Sequence, residues 1–304
     1  MKTLSEIGEF GFIERIKRML PADACVLVPA GDDTAVVKAP TRGKQILMTA
    51  DMLVEGVHFK PGTSPELIGR KALARNVSDI AAMGGVPRHA LVSVAIPPRT
   101  GVSALVKLYK GLTGCAREFR VNIVGGDTVK SRCLAINVAL TGEARLKDVV
   151  LRRGAASGDE IFVTGPLGRA WKSGKDLRFK PRVEEARFLI LNGLKPSAMI
   201  DISDGLAADL GHILEESGCR ACLVESQIPL ARGATLKEAL YDGEDYELLF
   251  SLPKRKAVKL RKLDPSARRR YIRIGEIQPG SPAVYLKDRQ GCVREIARKG
   301  FAHF

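Results

Sequence analysis

The sequence predicts an α/β or α+β protein with two domains, each built around a mixed sheet. Its 304 residues are enough for two domains of about 150 residues each. Short β-type runs alternate with helical patterns in both halves. Between them, the charged, glycine-containing segment from Glu143 to Asp159 lacks a long apolar run. We therefore expect an N-terminal domain over residues 1–145 and a C-terminal domain over residues 146–304.

The first half begins with an amphipathic helix over residues 4–20, where apolar residues recur at helical spacing until Pro21. A later helix starts at Ser64, which is followed by a proline at the first helical position, and ends at Gly84-Gly85. The remaining predicted elements are strands at 25–28, 34–39, 45–50, 90–97 and 133–142, a helix at 101–119, and a strand ending in Gly125-Gly126-Asp127.

The second half restarts with a strand at 160–165, which leads into a glycine-rich turn and a helix. Another helix spans about 182–192, and MIDISDGL at 199–206 is typical of a strand that runs directly into a helix. The end is rich in β-type runs, namely YELLFSLP, YIRIGEIQ and AVYLKD, with one basic helix among them.

The composition narrows the possible function classes. Lys and Arg number 49 against 34 Asp and Glu, so the formal charge is +15 and anionic partners are favoured. Aromatic residues make up only 5%, which argues against a base-stacking surface, and we interpret the basic stretch 254–273 as a solvated helix face. Nucleic acid is therefore an unfavoured partner.

No apolar run reaches the roughly 18 residues that a membrane span needs, and the N-terminus is acidic. We therefore expect no membrane association and a cytoplasmic location. Cys219 and Cys222 form a CxxC pair, but no second ligand pair follows at zinc-site spacing. The six cysteines are interpreted as plain thiols.

The most informative pattern is the placement of aspartates beside Gly, Ser or Thr after β-type runs. These positions include Asp32 and Asp33, Asp51, Asp127, and the pair Asp201 and Asp204; Asp79 adds another at the end of a helix. Each alone is ordinary turn or capping chemistry. Because ligands gather at the carboxyl ends of strands in α/β sheets, we expect the acids to converge there.

Converging carboxylates repel by about 4 kcal/mol per pair at 4 Å and an effective dielectric near 20, so they need a counter-cation. Carboxylates that share a metal with phosphate oxygens are typical of Mg²⁺. The sequence has neither a Walker A loop nor GxGxxG. A nucleotide site must therefore use metal-bearing acids and the backbone amides at Gly125-Gly126 and Ser203–Gly205.

Several motifs together resemble the thiamine-monophosphate kinase family, within the superfamily of aminoimidazole ribonucleotide synthetase. They cover nearly the whole chain in that family's order: GDDTAVV (31–37), TADMLVEGVHF (49–59), ALARNVSDIAAMGGVP (72–87), GGDT (125–128), TGPLG (164–168), DISDGLAADLGHI (201–213), GEDYELLF (243–250) and the terminal KGFAHF. The resemblance implies a two-domain ATP-binding fold whose N-terminal domains pair in a homodimer. It also implies ATP as co-substrate, several Mg²⁺ ions and thiamine monophosphate as substrate.

The resemblance also implies roles for individual residues. Metal-binding positions are Asp33, Thr49, Ala50, Asp51, Asp79, Asp127, Asp201 and Asp204. ATP-contacting positions are Gly126, Asp127, Arg152 and Ser203, and substrate-contacting positions are His58, Glu244 and Phe301. Asp51, Asp127 and Asp204 are the expected catalytic residues. This chain departs from the family at Ala50, where many relatives have a hydroxyl residue, and at Phe301, where Tyr or Trp is more usual.

The expected chemistry is transfer of a phosphoryl group from ATP to a substrate phosphate, which needs no general base because a phosphomonoester is already largely anionic at neutral pH. Two alternatives remain open at this point. One is another ATP-dependent enzyme of the same superfamily, although no N-terminal Cys-containing loop and no C-terminal Cys is present. The other is a basic nucleic-acid-binding protein on a degenerate ATP fold.

Overall fold

Two mixed sheets organise the chain in the computed structural model, which describes residues 24–29, 32–39, 43–263, 266 and 270–301. The helix expected over 4–20 and the terminal residues 302–304 lie outside the described residues. The first half contains strands β1 (Val26–Val28), β2 (Ala35–Lys38), β3 (Gln45–Val54), β4 (Val86–Ile96), β5 (Asn122–Lys130) and β6 (Ala135–Ala144), with helices α1 (Pro65–Ala82) and α2 (Val102–Phe119).

The second half contains seven strands and five described helices. Its strands are β7 (Glu160–Val163), β8 (Ala198–Asp201), β9 (Arg220–Val224), β10 (Leu248–Leu252), β11 (Ile272–Gln278), β12 (Val284–Lys287) and β13 (Val293–Ile296). Its helices are α3 (Ala170–Ser173), α4 (Val183–Leu191), α5 (Leu206–Ser217), α6 (Leu236–Tyr241) and α7 (Lys254–Leu263). Short 3-10 turns at 146–148, 175–177 and 225–227 complete the connections.

Both sheets combine antiparallel and parallel pairs, so the predicted fold class is confirmed. The first has the order β1-β2-β3-β6-β4-β5, in which only β4 and β5 run parallel among the described strands. The second has the order β13-β12-β9-β11-β7-β10-β8, in which β9 and β12 run parallel.

One face of the first sheet is packed and the other is open. Side chains alternate along a strand, so Ile136, Val138 and Leu140 of β6 all point to the face covered by α1 and α2 and are buried. On the opposite face Met48 and Met52 of β3 are 47% and 53% exposed. We refer to this second side as the open face.

The second sheet is covered on both sides. Strands β7 and β10 and the edge strand β8 are buried at every position, because helices pack on both faces of this part of the sheet. Residues of α5 and α6 form one apolar cluster with the sheet, and residues of α4 and α7 form another. The second cluster also includes Ala82 at the end of α1, so the two halves share packing.

The structure corrects the position of two expected acids relative to their strands. Asp51 lies inside β3, which continues to Val54, and Asp127 lies inside β5, which continues to Lys130. The expectation that these acids follow strand ends was therefore wrong, whereas Asp201 is the last residue of β8. Sequence patterns also missed three short elements, β9, β13 and α6.

Within the described part of the chain, every helix is too short or too polar to span a lipid bilayer.

Two glycines let α1 and α2 pack against each other at backbone distance. A Cβ at Gly69 would lie 2.0 Å from the Leu108 carbonyl oxygen, and one at Gly111 would lie 1.8 Å from that of Glu66. No side chain fits at either position without moving a helix. Since α1 carries several candidate site residues, this contact also sets where those residues lie.

We predict that Gly111→Ala destabilises the protein by about 1 to 3 kcal/mol, because α2 must move away from α1. Gly114→Ala is the matched control in the same helix, since its added Cβ meets nothing within 4 Å. That control should be neutral or stabilise by up to about 1 kcal/mol through helix propensity. Urea unfolding of both variants measures the difference, and equal midpoints would contradict the packing argument.

Candidate active site

Three aspartates from separate elements converge between the two sheets. Asp33 precedes β2, Asp79 lies on α1 and Asp201 ends β8, and their carboxylate oxygens lie within 4.8 Å of one another. We call these three residues the acidic cluster. The prediction that distant acidic positions come together in space therefore holds for this set, which draws on both halves of the chain.

Hydrogen bonds from neighbouring side chains orient each carboxylate. The Thr49 hydroxyl donates to Asp79 Oδ2 at 2.6 Å, and the Ser78 hydroxyl donates to Asp201 Oδ2 at 2.5 Å. The Arg152 guanidinium donates to Asp33 Oδ1 at 2.9 Å. Thr49 and Arg152, both expected at the site, thus contact acids of the cluster.

The cluster is electrostatically crowded. Burial raises the pKa of Asp79 well above its usual range, and the Asp51 and Asp201 charges raise it further. Burial and Asp33 raise the pKa of Asp201 to about 7. Burial and the charge of Asp33 likewise raise the pKa of the adjacent Asp32 to about 6. When all of these carboxylates are ionised, their negative charge exceeds what the nearby Arg75 and Arg152 offset.

One buried oxygen of the cluster lacks a hydrogen-bond partner among the described residues. This atom is Asp33 Oδ2, although buried polar atoms are nearly always paired. The other possible metal ligands around it are the carboxylate oxygens of Asp79 and Asp201, and oxygen is the hard ligand that Mg²⁺ prefers. An orphaned carboxylate oxygen within an excess of negative charge is an arrangement that a divalent cation fits.

Beside the cluster lies a cavity of about 460 Å³. His58, Glu244 and Phe301, the three expected substrate contacts, all line it. Ser203 and Asp204 line it as well, from the turn between β8 and α5. The turn therefore connects the acidic cluster with the cavity, because Asp201 belongs to the cluster and Asp204, three residues later, lines the cavity.

The same turn is held by backbone contacts. Asp209 of α5 accepts hydrogen bonds from the Asp204 and Gly205 amides at 3.1 and 3.0 Å. The Phe301 amide donates to the Asp204 carbonyl at 2.9 Å, which brings residues late in the chain against the turn. Asp204, Asp209 and His212 also offer ligand atoms within 4.8 Å of one another.

A buried lysine fixes the carboxylate of Glu244 in the cavity wall. Lys71 of α1 has no exposed surface, and its ammonium donates to Asp176 Oδ2 at 2.9 Å, to the His58 carbonyl at 2.8 Å and to Glu244 Oε2. Burial raises the pKa of Glu244, while the charges of Lys71 and Arg75 lower it. Glu244 adopts a left-handed backbone with φ +66°, and its amide donates to the Ser203 carbonyl at 2.7 Å.

Asp51 lies next to the acidic cluster on β3. Its Oδ1 pairs with the Arg75 guanidinium at 3.4 Å, and its charge raises the pKa values of both Asp79 and Asp201. Ala50, one position earlier, is exposed and points to the open face, because strand side chains alternate. Its methyl group is therefore directed away from the cluster.

Within one chain, Asp127 and Gly126 lie apart from these acids. Gly126 is in register with Asp51 across β6 and β4, three strand spacings or about 14 Å away. Asp127 pairs with Ser93 and shares the open face with exposed Leu91. Gly126 is required for packing, because a Cβ there would lie 1.8 Å from the Val92 carbonyl oxygen.

Sequence reasoning missed four residues around the site, namely Lys71, Arg75, Ser78 and Trp171. The first three had a readable signal: with Asp79 they lie at i, i+4, i+7 and i+8 of α1, a polar stripe on a mostly buried helix. Trp171 carried no such pattern, since it lies in a four-residue helix.

The chain is similar to known proteins in both sequence and structure. The family model described as "AIR synthase related protein, N-terminal domain" matches residues 31–144. Thiamine-monophosphate kinase from Aquifex aeolicus is 36% identical, and the match covers 99% of each chain. The structure of AaThiL complexed with AMPPCP and TMP superposes with a TM-score of 0.86 at 32% identity, covering 100% of this chain and 99% of that one.

Hydrogenase maturation protein HypE, solved in complex with ATP, has a TM-score of 0.72 at 19% identity and covers 97% of this chain and 92% of that one. At that identity the similarity shows a common fold alone.

We predict that Lys71→Met destabilises the protein by about 3 to 5 kcal/mol, because it leaves the Asp176 and Glu244 carboxylates without their buried cation. Lys172→Met is the control, since that side chain is 59% exposed and its ion pair with Glu238 is on the surface. The control should change stability by less than about 1 kcal/mol. Urea unfolding near pH 7 measures both, and similar losses in the two variants would contradict the role of Lys71.

Proposed function

This chain belongs to the thiamine-monophosphate kinase family, as its motifs predicted, and we propose that its acidic cluster and adjoining cavity are the two parts of that enzyme's site. The chain phosphorylates thiamine monophosphate with ATP and yields thiamine diphosphate and ADP. The single observation that supports the proposed site is the β8–α5 turn. It presents Asp201 to the acidic cluster and Asp204 to the cavity that His58, Glu244 and Phe301 line.

The proposed reaction is a single in-line transfer of the γ-phosphoryl group to a phosphate oxygen of the substrate. A phosphomonoester has a second pKa of about 6, so the attacking oxygen is already largely anionic at neutral pH. No side chain has to remove a proton. The difficulty is to hold two polyanions together, so the protein acts by positioning and by neutralising charge.

Mg²⁺ is the cation that we propose for the acidic cluster. Asp33, Asp79 and Asp201 would hold it. Asp33 is the clearest ligand, because its buried Oδ2 lacks a hydrogen-bond partner among the described residues. Asp51 and Asp204 extend the set towards the nucleotide and the substrate. When bound, Mg²⁺ supplies positive charge that offsets the phosphate oxygens. The protein's own residues then orient these ligands: Thr49 orients Asp79, and Ser78 orients Asp201.

The cavity residues are proposed to bind the thiamine part. Phe301 is 48% exposed and offers a ring face for stacking, although it lacks the polar tip of the Tyr or Trp more usual there. Glu244 contributes a carboxylate whose place is fixed by Lys71. Arg152 and Ser203 remain the proposed ATP contacts. Arg152 binds Asp33 of the acidic cluster, and Ser203 lies in the turn that joins the cluster to the cavity.

We also propose a homodimer formed through the open face of the first sheet. That face carries exposed apolar side chains, Met48, Met52, Leu91 and Val129, each about half exposed, and an apolar patch of this kind marks an interaction surface. Asp127 lies on the same face, too far from Asp51 of its own chain to share a phosphate group. In such a dimer, Asp127 and Gly126 would contribute to the site of the partner subunit, which explains why they lie far from Asp51 of their own chain.

The cytoplasm is the proposed location. Cys115, Cys133, Cys219, Cys222 and Cys292 are free thiols, which fits a reducing compartment.

We predict that Asp51→Asn lowers turnover by about a thousandfold or more, because charge is lost beside the transferred group. Glu184→Gln is the control, since its side chain is 79% exposed and remote from the cluster. Thiamine diphosphate formation is measured across a Mg²⁺ titration at saturating substrates, with a chelator as blank. Near wild-type turnover of Asp51→Asn at saturating Mg²⁺ would remove Asp51 from the site.

A second prediction tests the role of Asp127. Asp51→Asn and Asp127→Asn chains should each form inactive homodimers, whereas isolated mixed dimers should have about half of wild-type activity. In a mixed dimer, one site receives both defects and the other receives none, provided that Asp127 acts across the symmetric interface. Two differently tagged chains allow the mixed dimer to be purified. Activity no higher than that of the homodimers would show that Asp127 serves its own chain.

A further inference from the structure

Trp171 is the only tryptophan of the chain, and its side chain lines the cavity that we assign to the substrate. It lies in α3, a four-residue helix that follows the TGPLG turn. About 38% of the residue is exposed, so part of the ring faces the cavity, together with Phe301. Nothing in the motifs of the family assigns it a role.

The backbone around Trp171 is anchored on both sides. Arg169 and Gly174, which flank α3, both adopt left-handed conformations with φ of +62° and +71°. The Arg169 guanidinium donates to the Gly233 carbonyl at 2.6 Å, and Lys172 pairs with Glu238 at 2.6 Å. The helix is therefore tied to the segment before and within α6, and the ring is presented from a fixed support.

Two ammonium groups hold the indole ring itself. The Lys71 Nζ lies 5.2 Å and the Lys60 Nζ 5.8 Å from its centroid, both within the range of a cation–π contact. Lys71 is the fully buried cation bound to Glu244, so the ring position is coupled to the wall of the cavity. The two positive charges are attracted electrostatically to the negative face of the indole ring.

We propose that Trp171 is a specificity-determining residue whose ring stacks on the neutral aminopyrimidine ring of thiamine monophosphate. The inference rests on the proposed function of the cavity. An indole that already contacts two ammonium groups favours a neutral heterocycle over a third cation, so the cationic thiazolium is not its partner. The aminopyrimidine is planar, and the stacking of a planar ring on an aromatic side chain stabilises the bound state when the two ring faces overlap.

The position of the single tryptophan makes the proposal directly measurable. Emission of the wild-type chain is recorded while thiamine monophosphate is added, with Mg²⁺ present and without ATP, so that no turnover takes place. We expect a saturable change of intensity or wavelength. The neutral aminopyrimidine fragment of the substrate should reproduce the change at higher concentration, whereas the thiazolium fragment should not.

Kinetic measurements on variants separate stacking from a merely structural role. Trp171→Ala should raise the KM for thiamine monophosphate about tenfold or more, with the kcat and the KM for ATP changed less than about threefold. Trp171→Phe keeps a ring face and should restore the KM to within about threefold of wild type. Tyr285→Ala is the control, because Tyr285 also contacts a cation, Arg220 at 5.4 Å, but lies away from the cavity.

The outcomes distinguish this inference from the proposed function. Saturable emission change without phosphorylation of the substrate would overturn the function and support the stacking. Phosphorylation with unchanged emission at saturating substrate, or an unchanged KM in Trp171→Ala, would overturn the stacking alone. Equal responses to the two fragments would overturn the choice of the pyrimidine ring.

Discussion

The buried ammonium of Lys71 is the interaction on which the arrangement of the site depends. It lies on α1 of the first half, and both of its carboxylate partners, Asp176 and Glu244, come from the second half. A buried charge is tolerated only when it is paired and hydrogen-bonded, so the second half must bring both carboxylates to this helix. The His58 carbonyl completes the set from the first half. The position of one half against the other is thereby coupled to the shape of the cavity.

Helix α1 extends that constraint to the acidic cluster. Lys71 lies near the cavity, and two turns further along, Ser78 and Asp79 lie at the cluster. Arg75 lies between them and pairs with Asp51. A single rigid element thus carries groups for both parts of the site. The close backbone packing of α1 on α2 then makes the separation between those parts a property of the fold and not of flexible side chains.

Much of this organisation was readable from sequence, but its geometry was not. Strand and helix patterns predicted the class and most elements, because long periodic runs such as α1 and α2 carry strong signals. The short strands β9 and β13 lack such periodic signals. The aspartates were identified by type and neighbourhood, yet Asp51 and Asp127 proved to lie inside strands. Their separation follows from strand order, in which β6 and β4 intervene, and from the face that each side chain takes. Neither is encoded in local spacing.

The contact between Phe301 and the β8–α5 turn has a consequence for ligand binding. The Phe301 amide binds the Asp204 carbonyl, and at Gly300 a Cβ would lie 2.2 Å from that same oxygen, so this late segment fits tightly against a turn made almost a hundred residues earlier. Until residues 300 and 301 reach this turn, the cavity lacks the part of its wall that they form. A ligand that binds the complete cavity therefore stabilises the docked position of this late segment together with the rest of the fold.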